Sequence, residues 1–162
     1  MIRGPTIDLA CEHRYGHQDH EGKTRVMLYL QFDGASLPRN VGGNRSDRYR
    51  VSNGDEGHLS FGPYTAVEAG RYVAGFYIRR IGEPCSGAID MDVSADGFEI
   101  LAIRRMKHFE LFEDIATFVS LSFVLEQKAD RAEVRLFVEK NVLIEVEELV
   151  IFSADQRIWG AK

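Results

Sequence analysis

Apolar residues recur along this chain at every second position, the spacing of strands with one face in a core and the other in water. Val26, Leu28, Leu30 and Phe32 alternate with Met27, Tyr29, Gln31 and Asp33. Ile89, Met91 and Val93 alternate with Asp90 and Asp92. Val119, Leu121, Phe123 and Leu125 stand opposite Ser120 and Ser122, while Ala132, Val134, Leu136 and Val138 stand opposite Glu133, Arg135 and Phe137. Residues 72–81 and 142–152 carry apolar side chains on both faces, as strands in the middle of a sandwich do. Turn residues separate the runs: Asn53-Gly54-Asp55, Ala69-Gly70, Gly82-Glu83-Pro84, Ala95-Asp96-Gly97 and Ala129-Asp130. About nine or ten short strands at this spacing predict an all-β fold, an antiparallel β-sandwich with jelly-roll topology and at most one short helix. Its core should hold Leu30, Tyr72, Phe76, Ile89, Met91, Leu121, Phe123, Val134 and Leu136.

Three stretches break the rhythm. Residues 107–116 space Phe109, Phe112 and Ala116 for a helical turn, so a short helix or loop should cap one end of the sandwich. Residues 36–50 carry four arginines, Gly42-Gly43 and little apolar content, which reads as a long connection of the kind that often serves function. Within residues 143–152 the alternation slips at Glu147-Glu148, the mark of a bulge that turns one carboxylate onto another face.

Composition narrows the classes of function. A length of 162 residues suits one domain over 1–162 with a core that needs no staple. A formal net charge of −5 argues against a general nucleic-acid binder, which requires a concentrated basic face. No apolar run approaches the roughly 18 residues of a membrane span, and the start has no stretch of signal-peptide length. The expectation is a cytoplasmic chain or an excised domain. Cys11 and Cys85, the only cysteines, make no disulfide framework and read as two reduced thiols.

Residues 53–80 carry the most distinctive order: a Gly/Asp turn, the half-buried run at 58–61, a corner at Pro63, the turn Glu68-Ala69-Gly70 and a strand opened by Arg71-Tyr72. This order, through the closing Val146-Glu147-Glu148-Leu149-Val150, resembles the jelly-roll carbohydrate-binding modules of the family 6 and family 35 type. The resemblance covers about residues 51–153, with His58 where the family usually has tryptophan and Phe61 where it has tyrosine. The strand at 26–32 is closer to the glycan-recognition domains attached to bacterial polysaccharide exporters and glycosyltransferases. The resemblance implies a lectin-like, non-catalytic domain that binds an oligosaccharide or polysaccharide, partnered by a glycosyltransferase or ABC transporter domain. It also implies a structural calcium held by Glu147 and an N-terminal carboxylate, Glu12 or Asp8.

A sugar site needs a flat aromatic face for the axial C–H bonds of a pyranose and short polar groups for its hydroxyls. Arg48, Tyr49, Asn53, Asp55, His58 and Tyr64 are the candidates, with Arg50 beside Arg48 available for an acidic sugar. Asn and Asp beside Gly are also turn formers, and a strand tyrosine is also packing. His13, His17 and His20, beside Glu12, Asp19 and Glu21, form a second cluster in what reads as a loop, and would suit a transition metal. Two alternatives stand beside sugar binding: a protein–protein assembly module using the arginine-rich connection, and a metal-dependent cupin-like enzyme. His17-Gln18-Asp19-His20 has the wrong spacing for the latter. No nucleophile elbow, phosphate loop, zincin helix or dinucleotide fingerprint is present.

Overall fold

The computed structural model describes residues 11–18, 24–97 and 99–154. Its strands are β1 (Cys11–Gln18), β2 (Thr24–Asp33), β3 (Gly43–Asn44), β4 (Arg50–Val51), β5 (Gly57–Val67), β6 (Gly70–Arg80), β7 (Ala88–Ala95), β8 (Glu99–Lys107), β9 (Thr117–Leu125), β10 (Ala129–Val138) and β11 (Ile144–Ser153). They form two antiparallel sheets. In the seven-stranded sheet β11 lies between β2 and β6, β1 and β9 lie beyond them, and β4 with β3 joins the start of β11. The four-stranded sheet runs β5-β10-β7-β8. From β5 onward nearly every connection crosses from one sheet to the other, the jelly-roll habit.

Alternation builds the core as the pattern predicts. All nine expected positions are buried, Phe76 and Leu136 completely. Each such side chain contributes about 2 kcal/mol by leaving water, so the facing rows dominate the stability of the sandwich. The central strands are the ones apolar on both sides in sequence, β6 and β11. The slip at Glu147 is a bulge: β11 loses register against β6 between Val146 and Glu148.

Two features differ from the pattern reading, whereas the short helix or loop expected at 107–116 is present as a 3-10 turn, His108–Glu110, with the rest of the connection irregular. Leu111 and His108 are buried there, whereas Phe109 and Phe112 stay exposed, because beyond the turn's own bond from Leu111 to His108 the backbone is tied to Arg79 and Arg80. Pro63 is no corner: β5 runs through it as an edge strand, where a missing N–H costs no ladder bond, and Gly62 and Tyr64 on either side take positive φ. His13 and His17 belong to a strand and not a loop, since β1 pairs with β2 in register from Cys11↔Gln31 to Gln18↔Thr24. His20, Asp19, Glu21 and Asp8 lie outside the described residues.

Candidate functional site

The outer face of the four-stranded sheet follows from the alternation of β10. With Ala132, Val134, Leu136 and Val138 turned into the core, Glu133, Arg135 and Phe137 must point away from it. Register places His58, Phe137, Asp90 and Arg105 side by side across the four strands, with Phe61, Arg135, Asp92 and Ile103 in the adjacent row. The aromatic rings at the β5 side touch in sequence. His58 meets Phe137 edge-on at 5.4 Å between centroids and Phe61 at 6.3 Å, and Phe61 meets Tyr64 at 6.5 Å. All four rings are half-buried, so each keeps surface for a ligand.

Charged groups frame this row. Arg135 Nε donates to Asp92 Oδ1 at 2.7 Å, and that hydrogen bond raises its pKa further above the ordinary value. Arg105 bridges Asp90, at 2.7 Å, and Glu139. Tyr64 is held with φ 62°, a left-handed conformation that a bulky residue adopts only under constraint. Its ring lies beneath the Arg131 guanidinium at 5.0 Å, and partial burial, followed by a hydrogen bond with Glu133, pushes its hydroxyl pKa up. The result is a rigid strip of aromatic edges and faces bordered by paired carboxylates and guanidinium groups. It can stack an apolar ring face and meet hydroxyls at its margin.

The sequence candidates fall in three separate places. His58 and Tyr64 lie on this strip. Asn53 and Asp55 close their own turn, with Asn53 Nδ2 donating to Asp55 Oδ2 at 2.8 Å and the Asp55 N–H donating back to Asn53 Oδ1. Arg48 and Tyr49 sit on the seven-stranded sheet's side: Arg45 and Arg48 flank the Tyr49 ring at 4.7 and 5.6 Å, and Arg48 pairs with Glu147 at 3.1 Å. Close by, the buried Glu145 receives Arg45 and Arg79, each at 2.7 Å. Phe61, Phe137, Asp92 and Arg135 were absent from the candidates. The signal for them was an aromatic residue on the polar face of an otherwise clean alternation, at Phe137.

Arg50 is a correction. Expected as an exposed partner for an acidic sugar, it is 2% exposed and faces inward. Its guanidinium donates to Asn44 Oδ1 and to the carbonyls of Leu59, Ala35 and Leu37, at 2.6–2.9 Å. Burial, followed by the charge of Arg39, pulls its pKa down to about 10, so it remains cationic at neutral pH. The long connection is thus an ordered loop wound around this side chain.

Of the two N-terminal carboxylates expected beside Glu147, Asp8 lies outside the described residues and Glu12 stands apart from it. Glu12 is in register with Leu30, which is in register with Ile151, and Glu147 lies further along β11. Strand rise and spacing put those two backbones about 13 Å apart along the strands and about 10 Å across them. Among the described residues no group of three or more His, Cys, Asp or Glu side chains could hold a metal ion. Cys85 is a free, half-buried thiol. Among the described residues no helix is long and apolar enough to cross a membrane.

No protein-family model matches the chain, and no curated protein matches it in sequence. Several solved structures are similar to it at low identity. A family two carbohydrate esterase from Cellvibrio japonicus is 12% identical with a TM-score of 0.45, over 79% of this chain and 34% of its own. The C-terminal CBM6 of LamC from Zobellia galactanivorans is 12% identical at 0.37, over 89% and 92%. The infectious bursal disease virus VP2 subviral particle is 11% identical at 0.47, over 98% and 43%. This chain therefore spans about a third of the esterase's length.

Proposed function

We propose that the chain is a non-catalytic carbohydrate-binding domain and that its sugar platform is the outer face of the four-stranded sheet. The observation behind this reading is the row His58, Phe61, Tyr64 and Phe137, half-exposed and bordered by Asp92, Arg135 and Glu133. A pyranose presents an apolar ring face and a polar rim, and this strip offers a surface for each. The same groups sit in fixed ion pairs and ring contacts, so little side-chain ordering would accompany binding. The finer reading is a role in bacterial cell-surface polysaccharide synthesis or export, beside a glycosyltransferase or transporter domain. Its support is the sequence resemblance of the strand at 26–32 to jelly-roll domains attached to such proteins.

A glycan array followed by titration calorimetry on neutral and acidic oligosaccharides tests the reading. Saturable binding should fall at least tenfold, about 1.4 kcal/mol, in Phe61→Ala and Phe137→Ala. Tyr49→Ala and Arg48→Ala, on the other side of the sandwich, should leave it intact. The platform is wrong if the Tyr49 and Arg48 variants lose binding while the Phe61 and Phe137 variants keep it. Absence of saturable binding to any saccharide removes the function altogether.

A further inference from the structure

The connection between β8 and β9 displays three large apolar side chains to solvent. Phe109, Phe112 and Ile115 are 57%, 64% and 68% exposed and recur at every third position. The segment that carries them is held firmly. His108 and Leu111 are buried, and His108 Nε2 donates to the Leu143 carbonyl at 2.8 Å while its Nδ1 accepts the Cys85 N–H at 3.1 Å. The Phe112 carbonyl accepts the Arg80 N–H at 2.8 Å, and Arg79 and Arg80 side chains reach the carbonyls of Glu113 and Leu111. Apolar groups fixed in water by so many bonds are arranged as contact anchors and not as stray exposure. Asp114, between Phe112 and Ile115, has no cation partner among the described residues.

The complementary surface lies at the other end of the same edge. Arg71, Tyr72, Ser122, Phe123, Val124 and Ala154 line a mostly apolar pocket of about 270 Å³, of a size to take one aromatic side chain. Val124 is 47% exposed at its mouth, and Arg71, exposed on its rim, has no anion partner among the described residues. The tip carries the unmatched anion and the pocket the unmatched cation. β6 and β9 pair from Gly70↔Leu125 beside the pocket to Ile78↔Thr117 beside the tip, a span of about 25 Å. A two-fold axis through the middle of β9 would therefore bring each copy's tip onto its partner's pocket, making both contacts at once.

We propose that two copies of this chain form such a two-fold dimer along the β9 edge, with Phe112 seated against the exposed Val124 of the partner and Asp114 facing Arg71. Closed two-fold pairs are the commonest assemblies, and here one self-complementary edge supplies both halves of the contact. The dimer goes beyond sugar binding, since neither surface includes the platform.

Sedimentation velocity over a wide concentration range tests it. The wild-type mass should rise with concentration and level off at twice the chain mass. Phe112→Ser and Arg71→Glu should each weaken association at least tenfold, with unchanged circular dichroism. Mixing these two variants should restore a 1:1 pair, because one intact tip then meets one intact pocket. A wild type that stays monomeric overturns the proposal and leaves the tip to another partner. A mass that climbs past the dimer, variants that associate like wild type, or a mixture that stays monomeric also overturn it.

Discussion

Arg48 and Arg50 show how far two residues of one type can diverge. Separated by one position, they face opposite ways, and one pairs with Glu147 in solvent while the other vanishes into the protein. The fate of Arg50 was not legible in the sequence, because it depends on carbonyls delivered by residues 35, 37 and 59, which only the finished fold gathers. Arg50→Met keeps the apolar stem and deletes every donor, so it should cost about 3 kcal/mol, read as a lower urea midpoint. Arg50→Lys should recover little of it, since one ammonium cannot span acceptors that a planar fork reaches. His58 and Tyr64, by contrast, were singled out from their place beside a Gly-rich turn, and both lie on the aromatic strip. Their neighbours Phe61 and Phe137 needed the strand register.

Elements were easier to read than individual contacts. The two strands apolar on both faces proved central, and adjacent carboxylates at Glu147-Glu148 correctly marked a bulge, because both signals are local. The display segment at 107–116, read as a short helix or loop, is a 3-10 turn followed by a loop, and only its outward-facing rings were not legible. Its three-residue spacing of aromatics mimics a helix face, but tertiary bonds from Arg79 and Arg80 fix an irregular path and aim the rings outward. Where elements meet, Glu139 gives a pH signature. Its carboxylate accepts the Ala88 N–H at 2.8 Å and is paired with Arg105, and these two, in that order, hold its pKa below the usual carboxylate range. A depressed carboxylate contributes stability that is complete above its unfolded value of about 4.3 and is lost as the pH falls through the folded one. Glu139→Gln should therefore lower stability at neutral pH and flatten its decline under acid. Denaturant midpoints compared between pH 3 and 6 would show this, and an unchanged acid limb would contradict it.

At the scale of the whole molecule, two surfaces with separate chemistry occupy different parts of one sandwich. The aromatic strip lies on the broad outer face of one sheet, and the acidic apolar tip and its matching pocket lie along the edge of the other. Sugar binding and self-association should accordingly be separable by mutation, the Phe61 and Phe112 variants each abolishing one property and sparing the other. A sandwich of this kind hosts many activities, which is why fold and composition alone fixed neither surface.

The position of β11 reaches beyond the finished structure. This strand is the last in chain order among the described residues, yet its partners on either side are β2 and β6. Until it emerges from the ribosome, both of those strands show open hydrogen-bonding edges, which are templates for mispairing with neighbouring chains. Shortening the chain to end before Ile144 should thus give aggregated protein rather than a smaller fold. Synthesis in cells should also rely on holding chaperones until that moment, a dependence that pulse-labelled co-precipitation of nascent chains would reveal.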